Sequence, residues 1–256
     1  MDRQKKGIIV SKRNKRSKAA PMIGLWLFLL IACIGFSLLL LNSKVFDVRY
    51  IGIEGNTSIP AEDIAEIGVL MPGENIFRMN TSIIAENIVR HPQIKSVTVE
   101  RKLPEQIVFV VEERKPYAYL ISSEDFIVID DEAVYLYKKS AIDNVSMPFI
   151  SGVQLTGEIT PGVKITNPGL IAAIELINML GSDIMTEISG IIAENPETLT
   201  LKTLQGVEIR FGKAEDLNRK IQMMQQLLID NAAIFNDQTI EYIDLRYDTS
   251  LVIKRK

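Results

Sequence analysis

The stretch HPQIKSVTVERKLPEQIVFVVEERKP, residues 91–116, decides the fold. Ile94 to Lys102 reads as a strand, with Val97, Val99 and Arg101 on alternate positions. Leu103-Pro104-Glu105 is a tight turn. Gln106 to Glu113 is the returning strand, rich in β-branched and aromatic residues (Ile107, Val108, Phe109, Val110, Val111). His91-Pro92 stops whatever helix precedes it, because the residue before proline is pushed out of the helical region. That helix is capped by Asn80 or Thr81 and carries Ile84 and Ile88 on one stripe. Pro72-Gly73 turns the chain ahead of it. A shorter helix comes earlier, with Ser58 as N-cap, Pro60 and Glu62-Asp63 in its first turn, and Gly68 at its end. Gly55-Asn56 is a turn signal. Val48, Ile51 and Ile53 mark a first strand. Its alternation slips between Tyr50 and Ile51, which requires either a bulge or burial on both sides. Phe46 to Arg114 is therefore a strand-helix-helix-strand-strand module.

Upstream, Met22 to Asn42 is an uncharged apolar run of 21 residues. At roughly 1.5 Å per residue it spans about 30 Å, the thickness of the hydrocarbon core. A cleaved signal peptide would have a shorter apolar region and a small-x-small site. Leu39-Leu40-Leu41-Asn42-Ser43-Lys44 offers no such site, so the run reads as a retained anchor. Eight cations precede it (Arg3, Lys5, Lys6, Lys12, Arg13, Lys15, Arg16, Lys18) against Asp2 alone, giving +7. The chain's net charge is −3, which leaves −10 for the rest. The positive-inside rule places residues 1–21 in the cytoplasm as a basic tail, and the body beyond the span outside. A basic tip, an uncharged bar and an acidic body is the charge plan of a membrane protein and not of a nucleic-acid binder. The one cysteine, Cys33, lies in the span, so neither an intrachain disulfide nor a cysteine metal site is available. A body held by packing alone points to a bacterial cell surface, and the Asn-x-Ser/Thr triplets at Asn56, Asn80 and Asn144 read as chance occurrences.

Beyond Pro116 the signals are short strands: Tyr117 to Ile121, Phe126 to Ile129 and Ala133 to Tyr137, with Asp130-Asp131 as a hairpin turn. Pro148-Phe149-Ile150-Ser151-Gly152 follows. Pro168 to Leu180 reads as a helix stopped by Gly181. Strands recur at Ile188 to Ala193, Thr198 to Thr203 and Val207 to Phe211. The longest helix of the body is expected over Ala214 to about Phe235, with Leu217, Ile221, Met224 and Leu228 on one face. The last strand runs from Ile240 to Tyr247, then Leu251 to Ile253, ahead of Lys254-Arg-Lys256. A terminal strand is expected to form a sheet edge with unpaired N–H and C=O groups.

The ordered set Asn56, Gly73-Glu-Asn-Ile-Phe77, His91-Pro-Gln-Ile-Lys-Ser-Val97, Arg101-Lys-Leu-Pro104 and Val111-Glu-Glu-Arg-Lys-Pro116, directly after a signal anchor, resembles the POTRA domain of the FtsQ/DivIB cell-division proteins. Pro148 to Gly152 and Tyr242-Ile-Asp-Leu-Arg-Tyr247 resemble stretches of that family's β-domain. The fold class is thus expected to be α+β: one N-terminal transmembrane helix, a POTRA domain (β-α-α-β-β), then a mixed β-sheet domain with two helices. The expected boundaries are 1–21 for the tail, 22–42 for the anchor, 44–115 for the POTRA domain and 116–256 for the β-domain. The resemblance implies a scaffold at the division septum, bound to FtsL-like and DivIC/FtsB-like single-pass proteins. Through them it would help to recruit or control the septal synthase pair, FtsW and its transpeptidase. It further implies that a partner strand adds near the last strand, with Arg246, Tyr247, Thr249 and Leu251 in contact. Arg246 would meet a partner carboxylate, Tyr247 would be an aromatic anchor, and the terminal cations would suit an acidic partner. The chain ends soon after this motif, so partner surfaces that longer relatives carry beyond it are expected to be missing.

No catalytic, metal or cofactor residue is expected. His91 is the only histidine and sits at a helix end. There is no Gly-x-Ser-x-Gly elbow, phosphate loop or His-Glu-x-x-His helix. The acid pairs Asp130-Asp131, Glu112-Glu113 and Glu62-Asp63 read as solvated surface. The alternative function is a POTRA-type chaperone or assembly protein for membrane or secreted polypeptides. Such proteins carry several POTRA repeats or a barrel, and neither is visible here.

Overall fold

The computed structural model describes residues 19–122, 125–142, 147–155, 157–213, 215–231, 234, 237, 239–247 and 252–256. Most of the basic tail, Asn144, Ala214 and Phe235 lie outside them. Helix α1 (Ala19–Leu41) is apolar all round, and none of its residues from Gly24 to Leu41 is buried against the body. A helix with no polar face and no packing partner is one that lipid can surround. It is the one helix among the described residues long and apolar enough to cross a membrane.

Next comes a three-stranded sheet in the order β1-β3-β2, built from β1 (Tyr50–Glu54), β2 (Ile94–Lys102) and β3 (Gln106–Glu113). β1 runs parallel to β3 and β2 antiparallel to it. Helices α2 (Ala61–Ile67) and α3 (Thr81–Val89) close one core around Val48, Ile64, Ile76, Ile88, Ile94, Ile107, Phe109 and Val111. The slip in β1 resolves as burial on both sides: Ile51, Gly52 and Ile53 are all half-buried, and the pairing with β3 is unbroken. The bulge falls instead in β2, between Ile94 and Ser96. Asn80 is the cap of α3, its side chain accepting the Ile83 N–H. Ser58 is not the cap of α2. That helix starts after Pro60 with no side-chain cap, because a remote carboxylate has taken its entry segment. Glu113 accepts the N–H groups of Thr57, Ser58 and Ile59 and the Thr57 hydroxyl at 2.8–3.1 Å.

The second sheet has nine strands among the described residues, in the order β12-β11-β10-β9-β8-β7-β4-β5-β6. They are β4 (Ala118–Ile121), β5 (Phe126–Ile129), β6 (Tyr135–Lys139), β7 (Phe149–Ser151), β8 (Ile188–Ile192), β9 (Leu199–Thr203), β10 (Glu208–Gly212), β11 (Ile240–Asp244) and β12 (Val252–Arg255). Helices α4 (Pro168–Met185) and α5 (Leu217–Asn231) pack on one face over Leu120, Ile129, Ile150, Ile191, Leu201, Phe211 and Ile243. Behind β4 and β5 a smaller cluster forms, where the Tyr119 and Phe149 rings stack at 5.4 Å. Gly181 (φ +75°, ψ 162°) leaves helical geometry and ends the first segment of α4 where the sequence places a stop, and a further short turn runs on to Met185; α5 spans fewer residues than expected.

β6 begins two residues late because Asp130 organises the turn before it. Asp130 is no solvated acid: it is 1% exposed and accepts the N–H groups of Glu132 and Val134. It also meets the Arg114 guanidinium at 2.6 Å, which reaches Glu132 as well at 3.1 Å. Glu113 and Arg114, adjacent in the chain, therefore tie backward into the first core and forward into the second.

Candidate partner-binding edge

Side chains of β11 alternate, so Ile243 and Leu245 enter the core while Tyr242, Asp244 and Arg246 share the other face. β11 is not the sheet's edge, and it ends at Asp244, short of the expected Tyr247. It lies between β10, parallel, and β12, antiparallel. The margin is β12, whose four residues are all exposed and which pairs only with β11 among the described residues.

The ladder shows which groups of β12 remain open. The Leu245 N–H donates to Arg210 O, so that residue and Ile243 turn their peptide groups toward β10. Tyr242 and Asp244 then face β12, opposite Lys254 and Val252. Lys256 N–H donates to Thr239 O at 2.8 Å, which is the same phase. The N–H and C=O groups of Ile253 and Arg255 therefore point away from the sheet. They are a template for one more strand.

Charge is arranged around this margin. Arg246 binds Asp244 with Nε (2.9 Å to Oδ1) and Nη2 (2.6 Å to Oδ2), and its N–H donates to Oδ1 at 3.1 Å. The Arg246 side chain, chiefly by hydrogen bonding, holds the Asp244 carboxyl below the usual range, and Arg210 adds to the pull. The Arg210 guanidinium carbon lies 3.6 Å from the Tyr242 ring centroid, and Lys254 Nζ lies 5.5 Å from it. Lys254 also pairs with Glu241 at 2.7 Å, and Arg255 with Asp237 at 3.3 Å. Two of the three terminal cations, Lys254 and Arg255, thus already have surface partners within the chain.

Of the four expected contact residues, Arg246 and Tyr247 stand together where the chain leaves β11. Arg246 grips its own strand's carboxylate, and Tyr247 is 56% exposed, with the Arg246 guanidinium carbon 5.9 Å from its ring centroid. Thr249 and Leu251 lie outside the described residues. The sequence reading missed Asp244, Tyr242 and Arg210. Strict alternation along Tyr242-Ile-Asp-Leu-Arg246 already places the first, third and fifth of these residues on one face. Arg210 arrives only through the parallel pairing of β10 with β11.

Residues 46–114 match the family model of the FtsQ-type POTRA domain, and residues 118–246 match that of the C-terminal region of cell division protein FtsQ/DivIB. Cell division protein DivIB of Clostridium acetobutylicum is 35% identical over 145 residues, 56% of this chain and 57% of that protein. DivIB of Clostridium tetani is 28% identical over 78% of this chain and 79% of that protein. Cell division protein FtsQ of Syntrophotalea carbinolica is 28% identical over 88% of this chain and 79% of that protein. Among solved structures, the major extracytoplasmic domain of DivIB from Geobacillus stearothermophilus aligns over 47% of this chain and 96% of that one, with a TM-score of 0.32 and 11% identity. With the second core matched along half the chain and the first core matched beside it, this chain belongs to the FtsQ/DivIB family of cell division proteins.

Proposed function

We propose that this protein is a single-pass scaffold of the division septum that binds FtsL-like and DivIC/FtsB-like membrane proteins through the free margin of β12. In this reading the tail lies in the cytoplasm and the two cores lie outside, an orientation supported by the excess of cations before α1. The observation that carries this reading is β12 itself: among the described residues it is the outermost strand of the sheet, exposed along its length, with the peptide groups of Ile253 and Arg255 facing away from β11. A partner strand laid along Ile253 and Arg255 gains main-chain hydrogen bonds, and side chains around it select the partner. Tyr247 supplies the aromatic anchor beside that strand. Arg246 presents the remainder of its guanidinium from a position fixed by Asp244. Thr249 and Leu251, between β11 and β12 in the chain, complete the contact. Tethering in the same membrane raises the effective concentration of each partner, so a small interface suffices. By holding these partners, the scaffold helps to recruit or regulate FtsW and its transpeptidase.

Co-purification from membranes tests this, with the full chain and a chain truncated before Ile240 as baits. The full chain should bring down the DivIC-like protein, and the truncated chain should insert in the membrane without it. Fluorescent fusions should form a mid-cell band in dividing cells. Uniform membrane staining, or equal recovery by both baits, would overturn the proposal.

A further inference from the structure

The end of α1 is joined to the first core by side chains as well as by the peptide chain. Asn75 donates from Nδ2 to the carbonyl of Leu41, the last residue of α1, at 2.9 Å. Its Oδ1 accepts the Phe77 N–H at 3.0 Å. Arg78 Nη2 reaches Asn42 Oδ1 at 2.6 Å, and Asn42 Nδ2 donates back to Leu38 O at 2.7 Å. The final carbonyls of a helix have no partner within it, and here the POTRA core supplies one. The intervening segment has no slack. Lys44–Phe46 forms a 3-10 turn capped by Ser43, and Ile76 N–H donates to Phe46 O at 2.8 Å. Behind the loop, Arg101 donates to Ile76 O, Met79 O and Thr81 Oγ1 at 3.1–3.3 Å, which fixes the loop that carries Phe77.

Two apolar side chains are left open at this joint. Val45 is 57% exposed and Phe77 is 45% exposed, with the Phe77 ring 5.2 Å from that of Phe46. A 3-10 turn rises about 2 Å per residue, so Val45 lies only about 6–8 Å past the end of the span. The headgroup layer is roughly 5–7 Å deep on each side of the hydrocarbon core. Aromatic rings settle in that layer, and lysine or arginine stems extend through it to water. Lys44 and Arg78 flank the pair, while Asp47 and Glu74 occupy the same two segments, so the patch is apolar and carries no net charge.

We infer that the POTRA core is seated on the lipid surface, with Val45 and Phe77 in the headgroup layer and the Asn75 and Arg78 contacts locking it rigidly to α1. The occupant of this patch is the bilayer that α1 crosses, because the patch is continuous with the span's end. The inference rests on α1 being a span. A body so fixed holds its far sheet margin at a set height and heading above the membrane, where a flexible tether would let it swing.

A single-cysteine test uses the full chain with Cys33→Ser, placed in nanodiscs. Phe77→Cys is labelled with an environment-sensitive fluorophore, and Leu38→Cys is the reference inside the span. The Phe77 probe should show blue-shifted emission and stronger quenching by shallow than by deep spin-labelled lipids. Neutral phosphatidylcholine should serve as well as mixtures rich in phosphatidylglycerol, since the patch is uncharged. A buried Leu38 probe beside an aqueous Phe77 probe would overturn the seating alone. An aqueous Leu38 probe would remove the span and the seating with it. A flexible Gly-Ser insertion after Ser43 leaves the core intact and should return the Phe77 probe to water. Unchanged burial there would overturn the rigid joint.

Discussion

Arg246 clasps Asp244 from two positions along the chain, with Nε and Nη2 on the two carboxylate oxygens, and the carboxylate it clasps is 3% exposed. The pair makes Arg246 a brace for the strand exit. Among the described residues, removing the guanidinium leaves the buried carboxylate with the Arg246 N–H as its hydrogen-bond donor, so Arg246→Ala should cost about 1–3 kcal/mol of folding stability. Arg246→Lys should recover little, because a point charge cannot rebuild the fork. The double variant with Asp244→Asn should be less destabilised than Arg246→Ala alone. Denaturant unfolding of the detergent-solubilised chain checks this, and additive losses would break the coupling.

Tyr247 sits beside the brace with its ring in solvent, so its loss should be invisible to folding and visible to binding. Tyr247→Ala should weaken association with the DivIC-like partner by about 1–3 kcal/mol, the usual scale for an interface aromatic. Binding measured between nanodisc-embedded proteins decides it. Unchanged affinity would take Tyr247 out of the contact.

Local signals made most of the fold legible. The β2–β3 hairpin boundaries and the Asn80 cap follow from neighbours a few residues apart. The features that escaped are those built by remote partners. Ser58 has every local qualification for a cap, yet Glu113, 55 residues on, takes its N–H. Asp130 looks like a turn acid until Arg114 is brought to it by chain reversal. At the edge, Tyr247 could be read as exposed from its place past the last alternating pair. That β12, and not β11, is the margin depends on a strand of four residues folding back, which no periodicity announces.

The outward phase of Ile253 gives a sharper test of strand addition than truncation. Proline lacks an N–H and is tolerated in a strand only where that N–H would face away from the sheet. Ile253→Pro should therefore leave the β11–β12 ladder in place, with a stability loss of at most about 1 kcal/mol, and remove a donor needed by an added strand. Lys254→Pro, at an inward position, should damage the sheet itself. Co-purification and thermal unfolding of the two variants read both effects. Full partner recovery with Ile253→Pro would mean that no strand is added along β12.

Glu113 sets an acid limit on the entry to α2. Partial burial alone would raise its pKa, but the N–H groups of Thr57, Ile59 and Ser58 and the Thr57 hydroxyl stabilise the ionised form and bring it down to about 2. A carboxyl whose folded pKa lies below its ordinary value of 4.5 contributes stability above that value, and the contribution fades as pH falls toward 2. Solvent access to the carboxylate limits the effect, so Glu113→Gln should cost about 1–2 kcal/mol at neutral pH. The substitution should also flatten the loss of stability between about pH 4.5 and pH 2, since the titrating group is gone. Amide exchange should localise the change to residues 57–59 and the first turn of α2. If the variant keeps the full acid dependence of the natural chain, other carboxylates set it, and Glu113 serves that turn only as a neutral acceptor could.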